Sequence, residues 1–414
     1  MTVRKPILRI SNVGSKPKLD PLRRFESGIR AKQTLYAYKK TLREFLDAVE
    51  NFTGTFEEKA QQFHDFATSK PEEAQGLIED YAMHLKERTQ RPRDDSQYLN
   101  PSVVPNKIKS IKKFCKMNRI QIIWEEIQSF YPEKNNIKKT RGFTTEEIKQ
   151  ILDQSTSVQI DFIILTMASS GIRIGAWDNI KWAHINPVYE SNGKYSHNAS
   201  ELVNPIIVCA SLVVYAGTAE EYITLISIEA FDKLQSVRKH WVKTMEKEPT
   251  PEDPVLVSNK TRMQMDSDTI RVRLGRYINN ASLFHSSKTD RRHDVPFTHG
   301  FRKRYNKIMS DLQNKNDSHG NHIRKERLLG HKSALSELEG SYYYSNVLEA
   351  VPQYLEGMPN LMISDEYRAK IRLQDEQKEK TRLEQEIQQK NQALDAIREL
   401  KLKVERMQRY QNKN

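Results

Sequence analysis

Residues 203–227 read VNPIIVCASLVVYAGTAEEYITLIS, and this stretch decides the fold class. Two runs rich in β-branched residues, PIIVCASLVVYAG and EYITLIS, flank Gly217 and Thr218, which have the chemistry of a turn. They predict a small antiparallel sheet with at least one hairpin. The neighbouring sequence is helical in pattern, so the fold class expected is mainly α with a small antiparallel β-sheet.

On the N-terminal side, FTTEEIKQIL (143–152) restarts a helix with Thr144 or Thr145 as its N-cap and acidic residues in the first turn. DFIILTMASSGIR (161–173) continues as an apolar helix that ends at Gly171. Beyond Glu229 the pattern is helical through Val242, and helices dominate to about residue 357. Earlier in the chain, Leu35, Tyr38, Leu42, Phe45, Leu46 and Val49 mark one helical face, and AQGLIEDYAMHLKER (74–88) marks another through Leu77, Ile78, Tyr81 and Leu85.

The helix PSVVPNKIKSIKKFCKMNR (101–119) turns Val104, Ile108, Ile111 and Cys115 inward. Lys109, Lys112, Lys113 and Lys116 recur at i, i+3, i+4 and i+7, which places four ammonium groups in one stripe over two turns. With a net charge of +13 over 414 residues, that stripe reads as a helix that contacts phosphates, and a polyanion, nucleic acid first, is the expected partner.

The expected organisation is a basic flexible arm (1–22), a helical domain that carries the lysine stripe and contacts nucleic acid (23–132), a linker (133–142), a second domain (143–360) and a charged C-terminal helix (361–414). In the last segment Leu383, Ile387, Leu394, Ile397 and Val404 fit heptad positions that Lys380, Lys390 and Lys401 interrupt, so a short coiled coil or a single docking helix is expected. Cys115 and Cys209 are the only cysteines, too few for a disulfide framework or a cysteine-rich zinc site. No run of about 18 apolar residues occurs and the first twenty residues lack a signal-peptide core, so the reading is a cytoplasmic protein without a membrane partner.

Four clusters carry chemistry. SSGIRIGAWDNIKW (169–182) puts Arg173 just past a helix-ending glycine. FTHGFRKRYNKIM (297–309) sets His299 and Arg302 three apart near a helix N-terminus, where both can converge on one anion. Leu328-Leu329-Gly330-His331 presents an imidazole on a tight turn, and Tyr342, Tyr343 and Tyr344 follow it.

In order, these motifs resemble the tyrosine recombinases, the phage-integrase family, over roughly residues 27–357. SSGIR is similar to the family's first arginine motif, THGFRKRY to its HxxR motif, and LLGH with a nearby tyrosine to its last boxes. The wording of VVYAGTAEEY, LLGH and SYY resembles archaeal and archaeal-virus integrases. The resemblance implies a helical core-binding domain followed by an α+β catalytic domain. It also implies a site-specific recombinase acting on double-stranded DNA, including viral genome integration, as a homotetramer on synapsed sites, with a C-terminal element of the kind that members exchange between protomers.

The implied mechanism needs neither metal nor nucleotide. A tyrosine oxygen attacks a phosphodiester and leaves a 3′-phosphotyrosyl link and a free 5′-hydroxyl. Arg173 and Arg302 would hold the charged transition state, and His299 and His331 would add hydrogen bonds and proton transfer. Tyr343 is the nucleophile expected from Ser341-Tyr342-Tyr343, with Tyr342 and Tyr344 as alternatives.

Three departures stand against the pattern. The hairpin turn that usually carries a lysine has Ala219, or Ala216 in the other alignment, and neither can transfer a proton. Ala176 stands where many members have a glutamate that supports the first arginine. His331 plus nine residues is Gly340, so reaching any of the tyrosines requires an insertion in KSALSELEG (332–340). Type IB topoisomerase-like relaxation, or an impaired DNA-binding protein of the same fold, are the competing readings.

Overall fold

The computed structural model describes residues 20–133, 140–283, 294–316, 325–331 and 347–411. These fall into two compact units, one formed by residues 20–133 and the other by the described residues from 140 onward. The arm residues 1–19, most of the linker and Tyr342, Tyr343 and Tyr344 lie outside the described residues.

The first unit is helical: α1 (Pro21–Ser27), α2 (Lys32–Asp47), α3 (Phe56–Ser69), α4 (Pro71–Gln90), α5 (Val104–Asn118) and α6 (Trp124–Ser129). Helix α1 starts at Pro21 and buries Leu22 and Phe25, so the end of the expected arm is folded. Helix α3 begins with a full capping box, in which Thr55 accepts from the Glu58 amide and Glu58 accepts from the Thr55 amide. The core gathers Phe45, Phe63, Ile78, Leu85, Ile111 and Phe114. On α5 the inward face includes Ile108, Ile111, Phe114 and Cys115. Lys109, Lys112 and Lys116 are exposed, and Lys113 is half-buried.

The second unit opens with α7 (Thr145–Gln154) and α8 (Val158–Ser170). Thr144 is the N-cap of α7 and forms a capping box with Glu147, whose carboxylate also takes two bonds from Arg141 at 2.6 and 2.7 Å. Arg141 donates its amide to the Asp294 carbonyl, so residues 140–142, read as the linker's end, are anchored in this unit. Helix α8 is apolar on every side and buried almost throughout, as a core helix must be.

The sheet has four antiparallel strands in the order β2-β1-β3-β4: β1 (Ile185–Ser191), β2 (Lys194–Ser196), β3 (Ile206–Val214) and β4 (Tyr222–Ser227). The β3–β4 hairpin pairs Val214 with Tyr222 and Cys209 with Ser227. Strand alternation then feeds two cores. Ala210, Leu212, Val214 and Ile226 join Phe162, Met167 and Trp177 on one side. Val188, Cys209 and Leu225 join Tyr305, Leu329 and Tyr354 on the other. Burial on both faces explains why the runs read as continuous apolar stretches.

After the sheet come α9 (Ile228–Met245), α10 (Ser267–Asn280) and α11 (His299–Asn316), then the helices Val351–Leu361 and Asp365–Gln411. Helix α11 bridges the two cores, with Phe301 in one and Tyr305, Met309 and Leu312 in the other. Met362 and Ile363 are buried, and the amides of Ile363 and Ser364 donate to the buried Glu229 carboxylate at 2.8 and 2.9 Å. The C-terminal helix therefore starts at Asp365 from a fixed point. Farther along it Leu383, Ile387, Leu394 and Ile397 are exposed. Among the described residues no helix is long and apolar enough to cross a membrane.

Candidate active site

The site is built where the end of α8, the start of α11, the β3–β4 hairpin and the turn at 325–331 meet. Helix α8 stops at Gly171, whose φ of +65° is open to glycine without strain. A Cβ there would lie 3.0 Å from the Tyr305 ring and 3.1 Å from Leu329. This stop releases the chain so that Arg173, two residues on, is exposed at the site rather than wrapped into a helix.

Arg302 lies one helical turn into α11 and is 4% exposed. Its guanidinium donates to the Gly171 carbonyl at 2.8 Å and to the Leu329 carbonyl at 2.6 Å, and it meets His331 Nε2 at 2.7 Å. A buried guanidinium that satisfies two carbonyls is oriented before any ligand arrives. Burial, and next the charge of Arg173, press its pKa downward, while Tyr222 and Tyr215 oppose them. A second positive charge this close raises the attraction of the site for an anion.

His299 opens α11 and is exposed. Crowding by the protein, followed by the charges of Arg302, Lys303 and Arg173, pulls its pKa below the ordinary 6.5. His299 thus feels both arginines. His331 ends a Schellman turn in which its amide donates to the Glu326 carbonyl at 2.9 Å and the Gly330 amide to the Arg327 carbonyl at 2.8 Å. Gly330 has φ +64°, and a Cβ on it would lie 2.4 Å from the Tyr222 ring.

Three residues here were not singled out from the sequence. Tyr222 packs on Gly330, and its hydroxyl is buried beside Arg302 but outside ordinary hydrogen-bond geometry. Tyr215, at the other end of the hairpin loop, adopts a φ of +55°. Burial pushes both phenols upward, with Arg173 and Arg302 pulling the other way. Glu326 accepts from His331 Nδ1 at 2.5 Å. Its signal was available in the spacing: a glycine C-cap brings residues five apart into contact, and Glu326 is five before His331.

Ala219 is exposed in the loop between β3 and β4, and Ala216 is half-buried there. Ala176 is fully buried in the core against which α8 packs. Among the described residues no group of three or more His, Cys, Asp or Glu side chains is placed to hold a metal ion.

No family model matches the sequence, and no curated protein matches it. Solved structures similar to the chain include XerA recombinase, at 18% identity and a TM-score of 0.33, with 80% of this chain and 96% of that one covered. A lambda integrase dimer bound to a COC′ core site matches at 16% identity and 0.39, covering 79% and 95%. XerH site-specific recombinase bound to difH substrate matches at 13% and 0.34, covering 81% and 97%.

Proposed function

We propose that the chain is a site-specific recombinase that cleaves and rejoins double-stranded DNA through a 3′-phosphotyrosyl intermediate. The observation that carries the reading is the convergence of Arg173, His299, Arg302 and His331, from three separated segments, around one buried guanidinium with preset hydrogen bonds. Such a cationic pocket suits a phosphodiester whose non-bridging oxygens gain charge as a fifth oxygen adds to phosphorus. Tyr343 is the proposed nucleophile, with Tyr342 and Tyr344 its alternatives.

The helical unit, through Lys109, Lys112, Lys113 and Lys116, is the proposed duplex-binding domain, and the second unit the catalytic domain. Two sites would be synapsed by four copies. The C-terminal helix is the element offered for exchange or for a short coiled coil between them.

A DNA duplex nicked next to the cleavage point tests the reading, because loss of the short fragment traps the covalent adduct. An adduct is expected with the wild-type chain, and Tyr343→Phe should abolish it while Tyr342→Phe and Tyr344→Phe retain some. The alanine at position 219 favours a second reading, an impaired DNA-binding protein of the same fold, which absence of any adduct would support. Relaxation of plasmids lacking paired sites, without joining of paired ones, would point instead to topoisomerase-like action.

A further inference from the structure

The geometry points to Glu326 as a positioning residue that fixes His331 in its Nδ1-protonated tautomer, leaving Nε2 to accept from Arg302 at the edge of the anion pocket. The inference rests on the reading of that pocket as the phosphodiester site.

The two ring nitrogens of His331 face groups of opposite character. At Nε2 stands an Arg302 N–H, 2.7 Å away, and a guanidinium can only donate. At Nδ1 stands a Glu326 carboxylate oxygen, 2.5 Å away, and a carboxylate can only accept. Only the ring that carries its proton on Nδ1 satisfies both. Either partner alone favours this tautomer, and together they leave no place for the other.

Glu326 is held in its charged form. Burial raises its pKa, but hydrogen bonds from His331 and Lys325 outweigh burial and bring it below the ordinary carboxylate value. Lys325 is 5% exposed, and its ammonium lies 3.3 Å from the Glu326 carboxylate and donates to Ser310 Oγ at 3.0 Å. A chain of contacts thus runs from Ser310 on α11 through Lys325, Glu326 and His331 back to Arg302 on the same helix. The Schellman turn is what closes it, since it places residues 326 and 331 side by side.

The arrangement limits what a neutral His331 can do. Its one Nε2 lone pair is taken by Arg302, so it has no proton to give there and can take one only by releasing that bond. The carboxylate would then balance the charge if the ring became an imidazolium.

The test uses the full chain labelled with ¹⁵N-histidine and held at mildly alkaline pH without DNA, with His331→Gln assigning the signals. The ¹⁵N shifts of His331 should report the proton on Nδ1 in the wild type. Glu326→Gln, whose amide oxygen can accept the same bond, should keep that tautomer, and Glu326→Ala, in which only Arg302 still favours it, should shift part of the ring population to the Nε2-protonated form. A wild-type ring protonated on Nε2 overturns the inference, and so does an unchanged tautomer in a folded Glu326→Ala chain. With nicked DNA at saturation, Glu326→Ala should slow adduct formation on the order of tenfold with unchanged DNA affinity, and Glu326→Gln should restore most of the rate. If the wild type forms no adduct, the recombination reading fails while the tautomer measurement still decides this one.

Discussion

Arg302 donates to the carbonyl of Gly171 at 2.8 Å, across 131 positions of sequence. The bond fastens the start of α11 to the end of α8 and fixes the guanidinium two residues from Arg173. Lysine at position 302 keeps the charge but cannot span the Gly171 and Leu329 carbonyls and still face the pocket. Arg302→Lys should lower adduct formation on nicked DNA by about 10²-fold or more, with a lower melting temperature because a buried carbonyl loses its donor.

Gly330 answers to two constraints, its positive φ and the Tyr222 ring where a Cβ would be. Gly330→Ala should cost about 1–3 kcal/mol, seen as a shift in the urea midpoint, and should displace His331. Adding Tyr222→Ala should recover the steric part but not the conformational part, so the two changes will not be additive.

Ala219 is exposed in the hairpin loop, so Ala219→Lys should change stability by no more than about 0.5 kcal/mol. A lysine that reaches the leaving 5′-oxygen should raise the cleavage rate by about tenfold or more. Single-turnover kinetics on nicked DNA measure this, and an unchanged rate would show that position 219 does not face that oxygen.

The lowered pKa of His299 comes from crowding and from Arg302, Lys303 and Arg173. A phosphate between these groups offsets the repulsion, so the ring's pKa rises on binding and DNA uptake carries a proton. Affinity should therefore increase as pH falls through the bound-state pKa and level off below the free-state one. Fluorescence anisotropy across pH should show this, and His299→Gln should remove that part of the dependence.

Lys109 and Lys116 are exposed on α5, and Lys112 lies over the Trp124 ring at 5.4 Å. If the stripe contacts phosphates, Lys109→Gln and Lys116→Gln should each reduce the log–log salt slope of DNA binding by about 0.9 and weaken all sequences alike. A slope unchanged in both would remove this helix from the interface.

Local chemistry was enough for much of the fold. The capping box of α7, the Gly171 stop, the β3–β4 hairpin and the lysine stripe each depend on residues within a few positions of one another. Among the elements that escaped, two did so for equally local reasons. Helix α3 spends two of its buried positions on Ala60 and Ala67, which thin its apolar stripe. The β1–β2 hairpin turns at Asn192-Gly193, a strong signal, but β2 has three residues and β1 contains Pro187. That proline is tolerated because β2 pairs only with residues 189–191, which leaves β1 an edge at position 187.

The run Arg302-Lys303-Arg304 shows where sequence stopped. Three adjacent bases look alike in the chain, and one helix sends them to three places. Arg302 enters the candidate site, Lys303 donates to the Thr140 carbonyl at 2.8 Å, and Arg304 donates to the carbonyls of Leu361 and Asn360, with burial bringing its pKa down to about 10. By itself the sequence determined the residue types, the helix and strand periods and the motif order. The tertiary structure decided which base faces the pocket and which groups meet the two ring nitrogens of His331, because both depend on partners supplied by other segments.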